Sequence, residues 1–427
     1  MSLSPESSYL SPSTWPFSWD LLPQPAYLVG GAVRDALLHR KREYLDLDFV
    51  LPGDAIAIAR RIAGHYNAGF VLLDRDREIA RVVFDEGTAD FARQEGDSLE
   101  ADLRRRDFTM NAIAYDPEKE VFIDPLNGRE DLEKGAIRAV SKANLKDDPL
   151  RLLRAYRQGA QLDFTIKKKT RAMLRALAPL LKAIAAERVQ VELKYLLSSG
   201  GGAPWLTAAW EDGLLGGWFE NAAAENLQQL ERVDRCAWLL GKIWPGMEAQ
   251  LHERATPQGL SWLSLAKLTC LLSFDPSIAE LELEQLKYPR AEIRGAVTAL
   301  KALPRLLRAG TSPLNLREQY FFFQEVGQVF PLLSVLAVVV AAQKGILEET
   351  TAVGTIAPLI NRYLDPSDRA AHPTAIVTGN DLMRSLQLSP SPAIGHLLAE
   401  IQIAYLEGRV STAEEALGFA ATLLNSA

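Results

Sequence analysis

The chain has 427 residues, of which 48% are hydrophobic and 24% are charged. This length indicates more than one domain, and the composition is typical of a soluble protein with packed cores rather than of a disordered chain. The formal net charge of -7 excludes an overall basic protein, so any contact with nucleic acid has to use local basic patches.

The chain has the features of a cytoplasmic protein. Cys236 and Cys270 lack metal-ligand spacing, so we expect reduced thiols in apolar surroundings. Residues 1–25 are rich in Ser and Pro and lack the basic start and apolar core of a secretory signal, so they predict a flexible N-terminal arm. The longest apolar run, residues 330–342, is too short to cross a bilayer and predicts a buried helix. We therefore expect a cytoplasmic protein without a membrane segment.

The pattern of apolar residues predicts an α+β protein. Before residue 140 the strand candidates are 27–30, 47–51, 70–73, 80–84, 88–92, 121–123 and 137–140, and the helix candidates are 32–39, 54–65, 98–106 and 129–133. From Asp147 onward Leu, Ala, Glu and Arg recur at helical spacing and strand signals nearly vanish. A mixed sheet with helices is therefore expected first, followed by an all-α region.

A strand–turn–helix begins the first candidate site. The stretch YLVGGAVRDALLHRKREYLDLDFVL, residues 27–51, places Gly30 and Gly31 between a short strand and a helix. Glycines allow the backbone to approach a phosphate closely, and the free N–H groups of a helix start attract anions. Arg34 lies one turn into the helix and can reach the same phosphate. Taken alone, the two glycines predict no more than an ordinary turn with a surface arginine.

Two aspartates on the next strand make a candidate metal site. Asp46 and Asp48 are two residues apart, so their side chains point to the same face of the strand. Carboxylate oxygens suit Mg²⁺, and two such ions can activate a hydroxyl and neutralise a leaving pyrophosphate. Asp90, on a later strand, is a possible third carboxylate. An exposed strand end rich in Asp is the alternative interpretation.

A basic segment follows the sheet strands. The sequence LRRRDFTMNA, residues 103–112, ends a predicted helix with three arginines, of which Arg106 is the last. Arginines of this kind contact a triphosphate or an RNA backbone. Asp107 and Asn111 can hydrogen-bond a ribose or fix a hinge between domains. Taken alone, the segment is more typical of a solvated run of charges.

The segment DDPLRLLRAYR, residues 147–157, predicts a helix that can recognise a base. Asp148, Arg151, Arg154 and Arg157 are three residues apart and share one face, and an aspartate before Pro149 is expected to cap the helix. A carboxylate accepts from the exocyclic amino group of C or A, while arginine donates to a ring nitrogen; uracil and guanine present the wrong pattern. An ordinary capped amphipathic helix is the alternative.

A local basic patch is expected to contact RNA phosphates despite the acidic net charge. Its core comprises Lys167, Lys168, Lys169 and Arg171, with Arg175, Lys182, Arg188 and Lys194 on the helices that follow. A solvated helix face would show the same pattern.

Together and in this order, the motifs resemble those of the class II tRNA nucleotidyltransferase and bacterial poly(A) polymerase family. The resemblance lies in GGAVRD with DLD (30–48), RRDFTMNA (105–112), DPLNGREDL (124–132) and DDPLRLLRAYR (147–157), and more weakly in TGNDLM and AIGHLLAEIQIAYLEG near the C-terminus. It implies a polymerase-β-like catalytic head over 26–140 and a neck that recognises the base over 141–200. A helical body over 201–370 and a tRNA-binding tail over 371–427 would follow.

The resemblance also implies roles for individual residues. Gly31 and Arg34 become triphosphate ligands, Asp46 and Asp48 become ligands of Mg²⁺, and Arg106 becomes a nucleotide ligand. The implied substrates are the 3′ end of tRNA and CTP, with ATP as a second nucleotide in the alternative of full CCA addition, and we expect a monomer.

In the neck, the resemblance makes Asp148 and Arg151 the base readers, with Arg154 and Arg157 beside them.

The sequence also bears on which nucleotides are added. Members of this family that add the terminal A usually carry a loop rich in Arg, Tyr and Pro before RRDFT, and CC-adding members lack it. This chain reads ADFARQEGDSLEADLRRRDFT over residues 89–109, with almost nothing between the strand and the helix. A mobile loop can reshape the base pocket from C to A, so its absence favours a CC-adding enzyme. Full CCA addition is the next alternative, followed by A addition or poly(A) synthesis.

Two readings from other classes are disfavoured. A non-catalytic RNA-binding protein would have no reason to keep both Asp46 and Asp48. A metal phosphohydrolase needs a His-Asp cluster, whereas the five histidines are scattered and none precedes an aspartate.

Overall fold

The computed structural model describes residues 10–40, 44–222, 224–309, 312–343 and 348–426. The chain divides into two compact units, Met1–Gly217 and Trp218–Ala427. The first unit contains a mixed sheet followed by helices, and the second consists of helices joined by turns. The predicted α+β class is therefore confirmed.

A seven-stranded sheet organises the first unit. Its strands are β1 (Tyr27–Val29), β2 (Leu45–Leu51), β3 (Gly69–Asp74), β4 (Ile79–Val83), β5 (Gly87–Arg93), β6 (Ala114–Asp116) and β7 (Val121–Ile123), and the helices among them are α1 (Gly31–Leu37), α2 (Ala55–Tyr66), α3 (Leu99–Leu103) and α4 (Gly128–Glu133). The strand order is β3-β4-β5-β2-β1-β6-β7. Only β2 and β5 are parallel, and their register places Asp46 opposite Thr88 and Asp48 opposite Asp90.

The sequence missed two short strands and misplaced some element ends. Strand β6 is three residues long and buried on both faces, so it shows no alternation of apolar and polar residues. The predicted strand 137–140 is reduced to β8 (Ala136–Ile137), which pairs with the short β9 (Thr165–Ile166) outside the main sheet. Helix α3 ends at Leu103 instead of Arg106, so the arginines follow it in a turn.

The described part of the predicted N-terminal arm, residues 10–25, packs against the sheet. Trp15 and Phe17 are 7% and 3% exposed, respectively. The ring centroid of Phe17 lies 5.5 Å from that of Phe49 on β2 and 5.6 Å from that of Phe91 on β5. The expectation of a flexible arm is wrong for these residues. Their Ser and Pro content suggested flexibility, but their aromatic side chains complete the core beneath the sheet.

The rest of the first unit is helical. Its helices are α5 (Lys142–Asp147), α6 (Leu150–Leu162), α7 (Lys168–Leu177), α8 (Ala186–Ser198) and α9 (Gly202–Glu211). Helix α6 packs against α8 and α9. The predicted aspartate cap of α6 is not formed as expected: the N-cap residue is Pro149, and Asp148 Oδ1 is a distant 3.4 Å from the Leu150 N–H that donates to it.

The second unit is built around one largely buried helix, α16 (Phe330–Gln343). Its helices are α10 (Ala224–Ile243), α11 (Pro245–His252), α12 (Trp262–Leu271), α13 (Pro276–Gln285), α14 (Arg290–Arg308), α15 (Leu316–Val326), α16 (Phe330–Gln343), α17 (Glu349–Leu364), α18 (Gly379–Leu386), α19 (Pro392–Leu406) and α20 (Ala413–Ser426). By length and composition, Leu316–Gln343 could cross a membrane, but 72% of its most apolar window is buried in the fold. Helix α16 packs against α10, α12, α14 and α17, as expected for a core helix.

The last three helices share a small core of their own. Helix α18 is capped by Thr378, whose side chain accepts from the Asp381 N–H. Asp381 forms the other half of a capping box, because its carboxylate accepts from the Thr378 N–H at 2.9 Å.

Replacing Phe17 by Ala should lower the free energy of unfolding by about 3–5 kcal/mol, because it removes a buried aromatic side chain from beneath the sheet. Urea unfolding of the full chain measures the change. The exposed Ser13→Ala variant is the control and should stay within about 0.5 kcal/mol of the wild type. A Phe17→Ala variant as stable as this control would show that the N-terminal segment does not belong to the core.

Candidate active site

A close approach between a turn and a strand shapes one end of the site. Strand β1 ends at Val29, and α1 begins at Gly31, so Gly30 forms the turn between them with φ of 73°. A Cβ atom at Gly30 would lie 2.9 Å from Oδ2 of Asp48, so any other residue would displace that carboxylate as well as strain the backbone. Gly30 therefore permits both the positive φ of the turn and the close approach of the Asp48 carboxylate.

Three carboxylates meet where β2 and β5 run parallel. Asp46 and Asp48 share a face of β2, and Asp90 lies opposite Asp48 on β5. Asp46 Oδ1 accepts from the Thr88 hydroxyl at 2.9 Å. The pKa of Asp48 is raised to about 7, first because burial disfavours the charged form and then because Asp46 and Asp90 are negative.

Asp46 and Asp48 fit a divalent cation. They supply hard oxygen ligands, and a cation would relieve the repulsion that raises the pKa of Asp48. Asp90 fits less well, because Arg81 donates to its two oxygens at 2.6 and 2.8 Å. Among the described residues, no group of three or more His, Cys, Asp or Glu side chains is arranged to hold a metal ion.

The three arginines after α3 have different surroundings. Arg104 pairs with Glu100 and Arg105 with Glu95, both at the surface. Arg106 lines the cavity and donates to Asp102 at 3.2 Å. Its Nε is buried and has no hydrogen-bond partner in the described part of the chain. Arg106 therefore keeps an unused donor beside the carboxylates.

Asp107 and Asn111 are engaged by other protein groups. Asp107 Oδ1 accepts from the Asn111 side chain at 3.0 Å, and its Oδ2 accepts from Arg154 Nε at 2.9 Å. Burial alone would raise the pKa of Asp107, but Arg154, Asn111 and the Phe108 N–H lower it to about 2. Asn111 also accepts from Arg34 at 2.9 Å. Asp107 and Asn111 therefore connect the segment after α3 with α1 and α6, and their predicted roles, ribose contacts or a hinge between domains, stay predictions.

The predicted base-reading helix faces the same space. Arg151 Nη1 donates to the backbone oxygens of Arg105 and Asn144 at 2.9 and 3.0 Å, so these two backbone groups hold its guanidinium in place. Arg157 donates to Glu192 on α8 at 2.6 Å. Arg157 therefore links α6 to α8 and also lines the cavity.

A cavity of about 700 Å³ is lined by the residues that the sequence predicted for catalysis and nucleotide binding. Its wall includes Gly30, Gly31, Arg34, Asp46, Asp48, Asp90, Arg106, Asp107, Asn111, Asp148, Arg151, Arg154 and Arg157. The cavity has two further polar lining residues, Gln158 and Arg188, which the sequence did not assign to this site. No sequence motif pointed to Gln158, which is marked only by its position on α6. Arg188 was assigned to the RNA patch because charge runs do not show where a side chain points.

Apart from Arg188, the predicted RNA patch lies outside this cavity. Lys167, Lys168 and Lys169 are exposed at the start of α7. Arg171 donates to the buried Asp212 at 2.5 and 3.0 Å, and Arg175 donates to the same carboxylate at 2.6 Å. Much of the charge of these two arginines is therefore already neutralised within the protein.

Family models match most of the chain in three segments. Residues 26–138 match the poly A polymerase head domain, and residues 163–225 match a probable RNA- and SrmB-binding site of polymerase A. Residues 261–421 match a putative tRNA nucleotidyltransferase domain 2.

Relatives match along almost the whole length. A CC-adding tRNA nucleotidyltransferase from Synechocystis sp. is 48% identical over 96% of both chains. A CC-adding enzyme from Geobacter sulfurreducens is 32% identical over 92% of this chain and 90% of its own. An A-adding enzyme from Deinococcus radiodurans is 32% identical over 93% and 95%, respectively.

Solved structures agree in fold. A CCA-adding enzyme in complex with ATP superposes with a TM-score of 0.70 over 94% of this chain and 91% of its own, at 22% identity. The Thermotoga maritima CCA-adding enzyme complexed with tRNA gives 0.68 over the same shares, also at 22% identity. The head domain, the full-length relatives and the shared fold lead to one conclusion: this chain belongs to the tRNA nucleotidyltransferase family and is an enzyme of that family.

Proposed function

We propose that this enzyme adds two cytidine residues to the 3′ end of tRNA from CTP and releases pyrophosphate. The proposal is carried by the short connection between β5 and α3, which consists only of Gln94 to Ser98. The Gln94 N–H donates to the Leu51 oxygen at 2.9 Å, and the Glu95 N–H donates to Asp102 at 3.1 Å. This described stretch is tied to the head and leaves no long segment that could close over the base pocket.

Relatives support CC addition but do not decide it alone. The Synechocystis and Geobacter relatives are CC-adding enzymes. The Deinococcus relative adds A and is as similar to this chain as the Geobacter enzyme. The short connection therefore carries more weight than the level of identity, and a CCA-adding enzyme with a short connection is the alternative.

The charges of the cavity fit nucleotidyl transfer. The tRNA 3′-hydroxyl attacks the α-phosphorus of CTP, a new phosphodiester bond forms, and the bond to the β-phosphate breaks to release pyrophosphate. Arg34 and the unused donor of Arg106 bind the triphosphate, while Asp46 and Asp48 hold the divalent cation that this family generally uses. When bound, that cation, Mg²⁺ in our proposal, activates the hydroxyl and neutralises the leaving group.

Asp148 and Arg151 are the proposed base readers. Both line the cavity, and Arg151 Nε lies 4.0 Å from Asp148 Oδ2, so the two groups can address neighbouring atoms of one base edge. The Asp148 carboxylate accepts from the amino group of cytosine, and Arg151 donates to the ring nitrogen and the carbonyl oxygen. Contacts of Lys167, Lys168 and Lys169 with the body of tRNA, a cytoplasmic location and a monomeric state stay predictions.

Asp46→Ala and Asp48→Ala should each lower the rate of CTP incorporation by about a thousandfold or more, because each removes a ligand of the divalent cation. Single-turnover assays with tRNA that lacks its 3′ CCA measure the rate. Asp85→Ala is the control, because Asp85 is exposed in the turn between β4 and β5. The fold and tRNA binding should be preserved in all three variants. More than a few per cent of wild-type activity in either site variant would contradict the metal assignment.

Asp148→Ala and Arg151→Ala should weaken discrimination against UTP and GTP more than they weaken binding of the triphosphate. A site that hydrogen-bonds one base edge rejects a mismatched base because buried polar groups are left unpaired. Relative kcat/KM values for the four nucleotides measure this effect. The neighbouring exposed Asp147→Ala variant should keep the wild-type preference. An equal loss with all four nucleotides would assign Asp148 and Arg151 a structural role.

With tRNA that ends at the discriminator base, addition should stop after two C residues. ATP should add little or no A, even to tRNA that already ends in CC, because the described connection between β5 and α3 is too short to re-aim Asp148 and Arg151. Gel analysis of products formed with labelled CTP or ATP measures this stop. A longer Arg-, Tyr- and Pro-containing loop inserted after Gln94 should confer some A addition. Efficient ATP incorporation by the unmodified enzyme, near the CTP rate, would establish CCA addition instead.

A further inference from the structure

The two proposed base readers are held in very different ways. Arg151 is fixed from behind by two backbone oxygens, those of Arg105 and Asn144. Within the described part of the chain, the Asp148 carboxylate has no comparable backbone anchor, because its one backbone donor there, the Leu150 N–H, is 3.4 Å away. The orientation of the Asp148 carboxylate must therefore depend on another side chain.

That side chain is Arg188. Its Nη2 lies 3.2 Å from both Oδ1 and Oδ2 of Asp148, closer than the 4.0 Å between Asp148 and Arg151. The main cationic contact of Asp148 thus comes from α8 and not from its neighbour on α6. Arg188 also lines the cavity beside Asp148 and Arg151.

Helix α8 is held firmly enough to place Arg188. It packs against α6, and buried Glu192 on α8 accepts from Arg157 of α6 at 2.6 Å. Arg188 lies one turn before Glu192, so it faces α6 from the same side of α8. The ion pair therefore joins α8 to Asp148, which directly precedes the N-cap Pro149 of α6, and the Arg157–Glu192 contact already fixes the spacing of α6 and α8.

We infer that Arg188 is a positioning residue for base selection, which holds the Asp148 carboxylate where it accepts the amino group of cytosine. A carboxylate has about four lone-pair sites, so Asp148 can bind Arg188 and a base at once. Without Arg188, the side chain of Asp148 is free to rotate away from the base. Uracil, whose carbonyl oxygen would otherwise face the fixed carboxylate, is then rejected less strongly.

The inference rests on the proposed base-reading role of Asp148, and the test separates the two. The preference for CTP over UTP, as a ratio of kcat/KM values on tRNA lacking its CCA end, is measured for Arg188→Ala, Asp148→Ala and the double variant. We expect Arg188→Ala to lower this ratio on the order of tenfold, mainly through KM. In the Asp148→Ala background, Arg188→Ala should have no further effect, because it acts through the missing carboxylate.

Two more variants exclude a general structural effect. Arg188→Lys should recover part of the preference, because a single nitrogen makes both contacts with Asp148. Glu187→Ala, at the exposed neighbouring position, should keep the wild-type ratio. Competition between UTP and CTP for binding in the absence of tRNA should follow the same order as the kinetic ratios.

Several outcomes would overturn the inference. An unchanged ratio in Arg188→Ala, or equal losses with CTP and UTP, would return Arg188 to the predicted RNA patch. A full effect of Arg188→Ala in the Asp148→Ala background would show that Arg188 acts independently of the carboxylate. If Asp148→Ala itself leaves the ratio unchanged, the base-reading part of the proposed function fails and the inference fails with it.

Discussion

The geometry of the active site depends on one buried carboxylate, Asp107. It accepts from Arg154 of α6, from Asn111 and from the Phe108 N–H, and these contacts keep it ionised despite its burial. Its backbone oxygen also accepts from the Val140 N–H at 3.0 Å, which joins the segment after α3 to the segment before α5. A buried charge is tolerated only when it is fully hydrogen-bonded, so each partner is constrained in position.

These contacts connect the two chemical halves of the cavity. Asn111 binds Arg34 of α1, near the carboxylates, and also donates to Gln158 of α6 at 3.0 Å. The helix that presents Arg151 and Arg154 is thereby held at a set distance from the strand that carries the aspartates. For a transfer reaction this distance matters, because the α-phosphate and the base of one nucleotide must be bound at the same time.

The cavity separates opposite charges within an acidic protein. Carboxylates gather where β2 meets β5, whereas the guanidinium groups of Arg34, Arg106, Arg151 and Arg154 line the remaining wall. Such an arrangement binds a metal ion and a polyphosphate side by side, although the net charge of the chain is -7. Local charge is therefore a better guide to substrate than the bulk charge of this protein.

The sequence by itself determined the class of the fold and most of the residues that line the cavity. Alternation along β2 is a local property, so it placed Asp46 and Asp48 on one face, and helical spacing placed Asp148, Arg151, Arg154 and Arg157 together. Only the tertiary structure decided how these residues are paired. Arg81 on β4 forms an ion pair with Asp90 on β5, and Arg188 on α8 forms an ion pair with Asp148 before α6. The burial of the aromatic side chains of residues 10–25 likewise depends on their contacts with the folded sheet. Ion pairs and core contacts of this kind depend on distances in space, which spacing along the chain does not record.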